Sequence, residues 1–571
     1  MAIQLEDNQV SRGSFKRRSL IAFFTIASLA LIGFQIFSKF PWGPSIIELS
    51  KDLCPQGETL RPASFIKDNS SIEFIVKDPQ YRAESVKKIS GAVKIPTVSF
   101  DYNEDPLVNP EQWKNFTKFH WFLESQFPLV YQKLEVTKPN IYGLVFEWKG
   151  SDPNLKPLLL IAHQDVVPVA EETLSQWKYP PFEGVSDGKY VWGRGSSDCK
   201  ALLVAELQSI ERLIKDGFEP RRTVVLAFGF DEEIGGKWGA SSNSKYLQDK
   251  YGENSFFALV DEGGSSISVI DDVAFALPSI GEKGATNLQI TLNTPGGHSS
   301  VPPDHTNIGI ISNLINDIES TPFEPLLTEK NPTLNFVQCV AKYSDEYDDD
   351  LKKSIFRATI DKVSNSKVVK FLSSIKGYKY TIRTTQAVDI IHGGVKSNAL
   401  PEFTSLVLNH RIAVESSLKE TIDKIIGNLK EIAIKFDLGL VYKDEEIIQK
   451  TQNGYFTLLG GEGLEPSPVS ALDNKSWEVF SGTIKHIIED YVYPNLTTPA
   501  VVAGNLGTGN TDTNRYWNLT NNIYRYKFST LNGILDAHTH SINEHILIDD
   551  YIHLIAFTYE YIRNVDAAED D

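Results

Sequence analysis

One stretch constrains this chain more than any other: Thr223 to Phe230, followed directly by Asp231-Glu232-Glu233-Ile234-Gly235-Gly236. The first eight residues are apolar, β-branched and aromatic, which is the composition of a buried strand. Three consecutive carboxylates at the end of such a strand are costly unless a cation or a proton compensates them. Adjacent residues leaving a strand point to opposite sides. One of Glu232 and Glu233 can therefore face a metal while the other faces a water or a substrate. An isolated acidic triplet would read as a solvated loop, so the remainder of the chain decides between the two.

The same pattern recurs. His163-Gln-Asp165, Asp198, Asp261-Glu262 and His540 each put a histidine or carboxylate at a strand end or in a loop. His163 and Asp165 share a face of an extended chain, where the carboxylate can orient the imidazole through its other ring nitrogen. Imidazoles with carboxylates are N and O donors that suit zinc. About five such ligands are enough for two metals that share a bridging carboxylate. Taken alone, Asp198 reads as the cap of the helix after it. Gly193-Arg-Gly195 is followed by no Gly-Lys-Ser/Thr, so it does not read as a phosphate loop.

Strand and helix signals alternate from Ile141 to Val260, predicting a three-layer α/β domain with a mostly parallel sheet and ligands at the carboxyl ends of its strands. The texture then changes. Ala285 to Thr294 alternates as a half-exposed strand, Asn307 to Ile318 has helical periodicity, and Ser417 to Phe436 is a long amphipathic helix. This predicts a smaller α+β domain at 285–444, inserted between catalytic parts at 79–284 and 445–565, with an acidic tail at 566–571.

The chain has 571 residues, enough for several domains, and a net charge of −18 from 74 acidic and 56 basic residues. That balance argues against the clustered basic surface that nucleic-acid binding requires. Arg12, Lys16, Arg17 and Arg18 precede the apolar run Leu20 to Phe37. The expectation is a cytoplasmic tail at 1–19, a transmembrane signal anchor at 20–37 and a linker at 38–78, with the bulk of the chain translocated. A cleaved signal peptide is the rival reading. Five sequons, at Asn69, Asn115, Asn474, Asn495 and Asn518, fall on the lumenal side, as in a glycoprotein. Cys54 and Cys339 are candidates for a pair in an oxidising lumen or for free buried thiols, and Cys199 reads as a packing residue.

The order Ala162-His-Gln-Asp-Val-Val-Pro168, Gly193-Arg-Gly-Ser-Ser-Asp-Cys-Lys200, Asp231-Glu-Glu233, Asp261-Glu262, Gly296-Gly-His-Ser-Ser300 and His540-Ser-Ile-Asn-Glu544 resembles the zinc peptidase family of aminoacylase, glutamate carboxypeptidase and acetylornithine deacetylase. The resemblance implies a zinc-exopeptidase catalytic domain with an inserted lid that is often a dimerisation surface. It implies two zincs per chain: His163 and Asp261 on one, Glu233 and His540 on the other, Asp198 bridging, and Asp165 orienting His163. His538 and His545 flank His540, and the spacing of the motif favours His540 as the ligand. Glu232 would be the general base, moving a proton from the metal-bridging water to the leaving nitrogen. His298 would stabilise the oxyanion from the lid, in several relatives across a dimer. Asn398 and Arg411 would bind the substrate carboxylate, and Gly509-Asn-Thr-Asp-Thr-Asn-Arg515 would line the pocket.

The resemblance implies carboxypeptidase cleavage of small peptides or N-acyl amino acids and a vacuolar destination, and the N-terminal run predicts a type II membrane protein. Two alternatives stay open: an N-acyl amino acid hydrolase/synthase or dipeptidase on the same fold, and a catalytically silent membrane glycoprotein.

Overall fold

The computed structural model describes residues 45–62, 70–531 and 536–570. The expected anchor at 20–37 and the sequon at Asn69 lie outside them. No helix among the described residues is long and apolar enough to cross a membrane. The chain divides into two units at Cys54. The first holds the short helix Ile46–Ser50, opened by a capping box between Ser45 and Glu48. The second, from Cys54 onward, carries the sheets and the site.

The centre of this second unit is an eight-stranded sheet in the order Glu135–Thr137, Leu144–Trp148, Val224–Gly229, Leu158–His163, Ala258–Asp261, Ile523–Arg525, Ser279–Glu282 and Asn505–Gly507. The four strands from Val224–Gly229 to Ile523–Arg525 run parallel. Val224–Gly229, Leu158–His163 and Ala258–Asp261 are buried along their whole length, which is why they read as unbroken apolar runs.

Alternation sends their side chains into two cores. Leu158, Leu160, Val224, Leu226 and Phe228 pack with the helices Pro79–Val93, Lys200–Lys215, Lys475–Ile487 and Ile548–Ala567. Leu159, Ile161, Val225 and Ala227 pack with Ala240 and Leu247 of the helix Gly239–Tyr251 and with Tyr516 and Leu519. The result is the helix–sheet–helix layering that strand–helix alternation predicts.

A second, six-stranded sheet has the order Ala387–Gly393, Phe403–Ile412, Gly284–Asn293, Tyr455–Leu464, Gly439–Tyr442 and Glu445–Ile448. One face, with Leu288, Ile290, Leu406, Leu408, Phe456 and Leu458, is covered by the helices Asn307–Ser320 and Leu418–Lys435. Its strands run past the expected limit at 444 to Leu464. The apolar–polar alternation of Tyr455–Leu464 breaks at Gly460 and Gly461, both in the left-handed region, which hides a strand from a periodicity reading.

The expected linker is in part a docked strap. Gln56 exchanges two hydrogen bonds with the backbone of Val502, the Arg61 guanidinium grips Asp490 through two 2.7 Å bonds, and the N–H of Leu60 donates to the carbonyl of Gly482. Cys54 is bonded to Cys339, in the helix Pro332–Tyr343. Cys199 is free and buried.

Candidate metal centre

Parallel strands bring their carboxyl ends to one edge of the sheet, and the chemistry collects there. His163 is the last residue of its strand, level with Gly229 of the neighbouring strand, beyond which the chain turns through Asp231, Glu232 and Glu233. The turn Glu232–Ile234 is a single 3₁₀ turn closed by Gly235 at φ +96°, a conformation that favours glycine.

Asp198 lies at the middle. Its Oδ1 is 3.1 Å from His163 Nε2 and its Oδ2 is 3.1 Å from His540 Nε2. Glu262 Oε1 is 3.1 Å from the same His163 nitrogen, and Glu233 Oε2 is 3.0 Å from the same His540 nitrogen. Two groups result, His163–Asp198–Glu262 and Asp198–Glu233–His540, each with donor atoms within 4.8 Å of one another. They share one carboxylate. Glu232 reaches the same edge, within that distance of His163 and Glu233.

The structure brings His163, Asp198, Glu233 and His540 together, but not the full set that the family resemblance implies. That resemblance puts Asp261 beside His163 on the first metal, whereas the side chain found there is that of Glu262. Asp261 ends the strand Ala258–Asp261, and its Oδ1 accepts the N–H of Glu262. Successive side chains leave a strand on opposite sides, so only one of this pair can face His163. The motif Asp261-Glu262 is visible in the sequence, and the phase of the last strand residue is not.

Asp165 does more than orient His163. Its backbone carbonyl lies 3.0 Å and its Oδ1 3.2 Å from His163 Nδ1, and its two carboxylate oxygens accept the backbone N–H groups of Glu232 and Glu233, each at 3.1 Å. Ser99 donates a further bond of 2.6 Å to it. One buried carboxylate thus holds both a candidate ligand histidine and the turn that carries Glu232 and Glu233. Lys527, which no motif marked, donates to the carbonyl and hydroxyl of Ser197, beside Asp198. Asp512 is wedged against Gly229 and Gly236, where an added Cβ would collide with its oxygens.

The electrostatics are those of a cation site. Burial pushes the Glu232 carboxyl well above its usual range, and the neighbouring Glu262, Glu233 and Asp512 push the same way. Glu233 is pushed up to about 7 by burial and by Asp198. Burial opposes ionisation of Asp198, yet hydrogen bonds from both histidines outweigh it and hold the group well below the usual carboxylate range. Glu233 Oε1 is buried without a partner. A buried Glu233 with one oxygen on the His540 ring nitrogen and the other without a partner, among N and O donors, fits a bound metal ion.

His540 itself has φ 59°, in the left-handed region, which is uncommon outside glycine. Its neighbours are engaged elsewhere: His538 Nδ1 meets the carbonyl of Ile542, and His545 stacks on Trp192. The Cys199 sulfur also lies within reach of His163, Asp198 and Glu262. It is fully buried and accepts the N–H of His163, and burial pushes the thiol well up, so the neutral packing role is the one its surroundings favour.

The substrate-side candidates lie in two places. His298 and Asn398 sit on or beside an exposed two-stranded antiparallel sheet, Gly297–His298 with Ala399–Leu400, where His298 Nδ1 is 2.7 Å from the Ser300 hydroxyl. The hydrogen bonds of the His298 ring stay within this segment, on Ser300. Arg411, near the end of Phe403–Ile412, donates to Asn510 at 2.8 Å. Asn510 belongs to the loop that also carries Asp512, so one loop links Arg411 to the Asp231–Gly236 turn.

Of the sequons, Asn495 and Asn518 differ in surroundings from the other two described. The amide nitrogens of Asn115 and Asn474 are engaged with the Pro96 carbonyl and with Asn522. Asn495 is exposed.

The family model described as Peptidase family M20/M25/M40 matches residues 159–564. The chain belongs to this family. Every residue of the two donor groups lies inside the matched range. This M20 peptidase is 44% identical over 515 residues to carboxypeptidase S of Saccharomyces cerevisiae, covering 90% of this chain and 88% of the relative. It is 28% identical to N-fatty-acyl-amino acid synthase/hydrolase PM20D1 of Mus musculus, over 84% of this chain and 87% of the relative.

Among solved structures, the M20 family metallo-carboxypeptidase Sso-CP2 of Sulfolobus solfataricus shares the fold at TM-score 0.57 and 17% identity, over 85% of this chain and 99% of its own. The di-peptidase Dug1p of Saccharomyces cerevisiae does so at TM-score 0.59 and 14% identity, over 88% and 99%. The enzyme class expected from the motifs, a metallo-exopeptidase of the carboxypeptidase type, rests on this membership together with the yeast relative.

Proposed function

We propose that the chain is a di-zinc carboxypeptidase that removes the C-terminal residue from small peptides, or the acyl group from N-acyl amino acids. The observation that carries this reading is the sharing of Asp198 between two donor groups, with Glu232 on the same turn as Glu233. His163, Asp198 and Glu262 would hold one zinc, and Asp198, Glu233 and His540 the other. Bound there, zinc supplies a Lewis acid and a water of lowered pKa.

The chain's own residues supply the proton traffic and the binding. Glu232, in a pocket that raises its proton affinity, takes a proton from the attacking water and delivers it to the leaving nitrogen. Asp165 keeps that turn in place through both backbone N–H groups. Arg411 offers a planar fork to the free α-carboxylate, assisted by Asn398, with His298 as an oxyanion donor and a homodimer formed through the second sheet. We further read the chain as a vacuolar glycoprotein held at the membrane by residues 20–37, with Asn495 as an accessible acceptor.

The name of the mouse relative, an N-fatty-acyl-amino acid synthase/hydrolase, favours one rival substrate, an N-fatty-acyl amino acid. The test combines zinc content with hydrolysis of three substrates: an N-blocked dipeptide, a free dipeptide and an N-fatty-acyl amino acid. Two zincs per chain, with N-blocked dipeptide cleavage lost to chelator and restored by zinc, is the expected result. Two zincs with cleavage of the acyl amino acid alone would replace the peptidase reading. A folded chain without zinc or turnover would leave the silent glycoprotein.

A further inference from the structure

Glu544 lies four residues beyond His540 and has no part in the donor groups, yet its side chain is fully buried against the turn that carries Asp198. One oxygen, Oε1, accepts the backbone N–H groups of Gly195, Ser197 and Asp198 at 3.0, 3.0 and 3.1 Å. The other, Oε2, pairs with the buried guanidinium of Arg194. The carbonyl of Glu544 accepts from Gly193 at 2.8 Å. Immediately after it, His545–Leu547 pairs with Tyr190–Trp192 in an antiparallel ladder.

Three N–H groups converging on one point form an anion nest, and Gly195 at φ +83° is what lets the turn close that way. A buried ion pair by itself says little about stability. Here the carboxylate does something a pair with Arg194 would not require, because it satisfies three backbone donors of the turn at once. The sequence separation between Asp198 and Glu544 is 346 residues. The residue therefore joins the loop of one candidate ligand to the loop of another.

We propose that Glu544 is the positioning residue of the bridging carboxylate, fixing the Gly193–Asp198 turn against the His540 loop so that both metal positions are set together. The inference rests on the di-zinc reading above. Asp198 meets His163 through one oxygen and His540 through the other, so a displaced turn disturbs both groups at once. Supporting residues of metal sites typically affect affinity by about 10–100-fold.

The experiment is a zinc titration of the full chain against a competing chelating dye, for wild type, Glu544→Ala, Glu544→Gln and Glu544→Asp, alongside the unfolding midpoint of each metal-stripped protein. In Glu544→Ala both zincs should weaken together, by about 10–100-fold. Gln keeps an acceptor oxygen at the nest and loses the charge facing Arg194, whereas Asp keeps the charge and withdraws the oxygen. Positioning requires Asp to weaken zinc more than Gln, and this comparison stands even where the Ala variant does not fold. The inference is overturned by wild-type zinc affinity in Ala with only a lowered midpoint, by weakening confined to one zinc, or by Gln weaker than Asp. A folded wild type that takes up no zinc overturns the metal-centre reading itself, a result distinct from the others.

Discussion

Glu262 places its Oε1 3.1 Å from the Nε2 of His163, the same nitrogen that Asp198 Oδ1 approaches at 3.1 Å. Its neighbour Asp261 instead accepts the N–H of Glu262. Glu262→Ala should therefore lose one of two zincs, with affinity falling by more than the roughly 100-fold upper range for supporting residues. Asp261→Asn should keep both. Metal analysis of the two variants checks the assignment, and zinc loss in Asp261→Asn alone would reverse it.

Glu233 is 3.0 Å from His540, whereas Glu232, one residue earlier on the turn, is the proposed base. The Glu232 backbone is fixed by Asp165, so Glu232→Gln should leave the turn intact. The expected outcome is a kcat lower by roughly 10²–10⁴-fold with zinc content unchanged. Activity near wild type would remove Glu232 from the mechanism.

Part of this site is legible in the composition, because His163 ends one buried apolar strand and Glu233 follows another, whereas Asp198 and His540 lie in turns and are marked by the family resemblance. His163, Asp198, Glu233 and His540 come together in the structure, and the buried strands around them are where composition put them. The illegible part depends on local phase or on long-range contact. The choice between Asp261 and Glu262 turns on a single residue of strand length. Ser99 and Lys527 reach the site through hydrogen bonds that no spacing records. The helix Pro332–Tyr343 is absent from the expectations above, although Asn331 caps it and proline opens it, a start signal present in the chain.

Metal removal should change how stability depends on pH. In the stripped protein Glu233 is raised to about 7 against an ordinary 4.5, so its folded-state proton stabilises below about 4.5 and that contribution is lost as pH rises through 7. His540, raised to about 10 mainly by its bonds to Asp198 and Glu233, begins to lose its contribution above about 6.5, in the same direction. A bound metal ion would replace these protons. The gap in unfolding midpoint between zinc-loaded and stripped enzyme should widen from pH 5 to pH 8. A constant or narrowing gap would contradict protons standing in for the metal.

His553 gives an independent acid-side prediction. Burial lowers its pKa from 6.5 to about 4, and its ring lies 5.9 Å from that of Phe528, with Nδ1 unpartnered. A depressed folded pKa contributes stability above about 6.5 that is lost as pH falls through 4. His553→Phe removes that loss and should stabilise increasingly towards acid, by about 1.4 kcal/mol per pH unit at most between 6.5 and 4. Denaturant titrations of both proteins at pH 7 and pH 5 measure it, and an equal difference at the two pH values would refute the titration.

Arg411 ties the second sheet to the pocket loop through Asn510, and its guanidinium is the group proposed to take the substrate carboxylate. Arg411→Met should raise KM for N-blocked dipeptide acids by about 10–100-fold, the range for losing charged hydrogen bonds worth roughly 1.5–3 kcal/mol. The corresponding C-terminal amides, expected to be poor substrates, should be almost unaffected. The comparison separates recognition from damage to the loop: a collapse of Asn510 and Asp512 would depress acid and amide turnover alike. Equal losses on both substrates would therefore move Arg411 from a carboxylate clamp to a support for the loop.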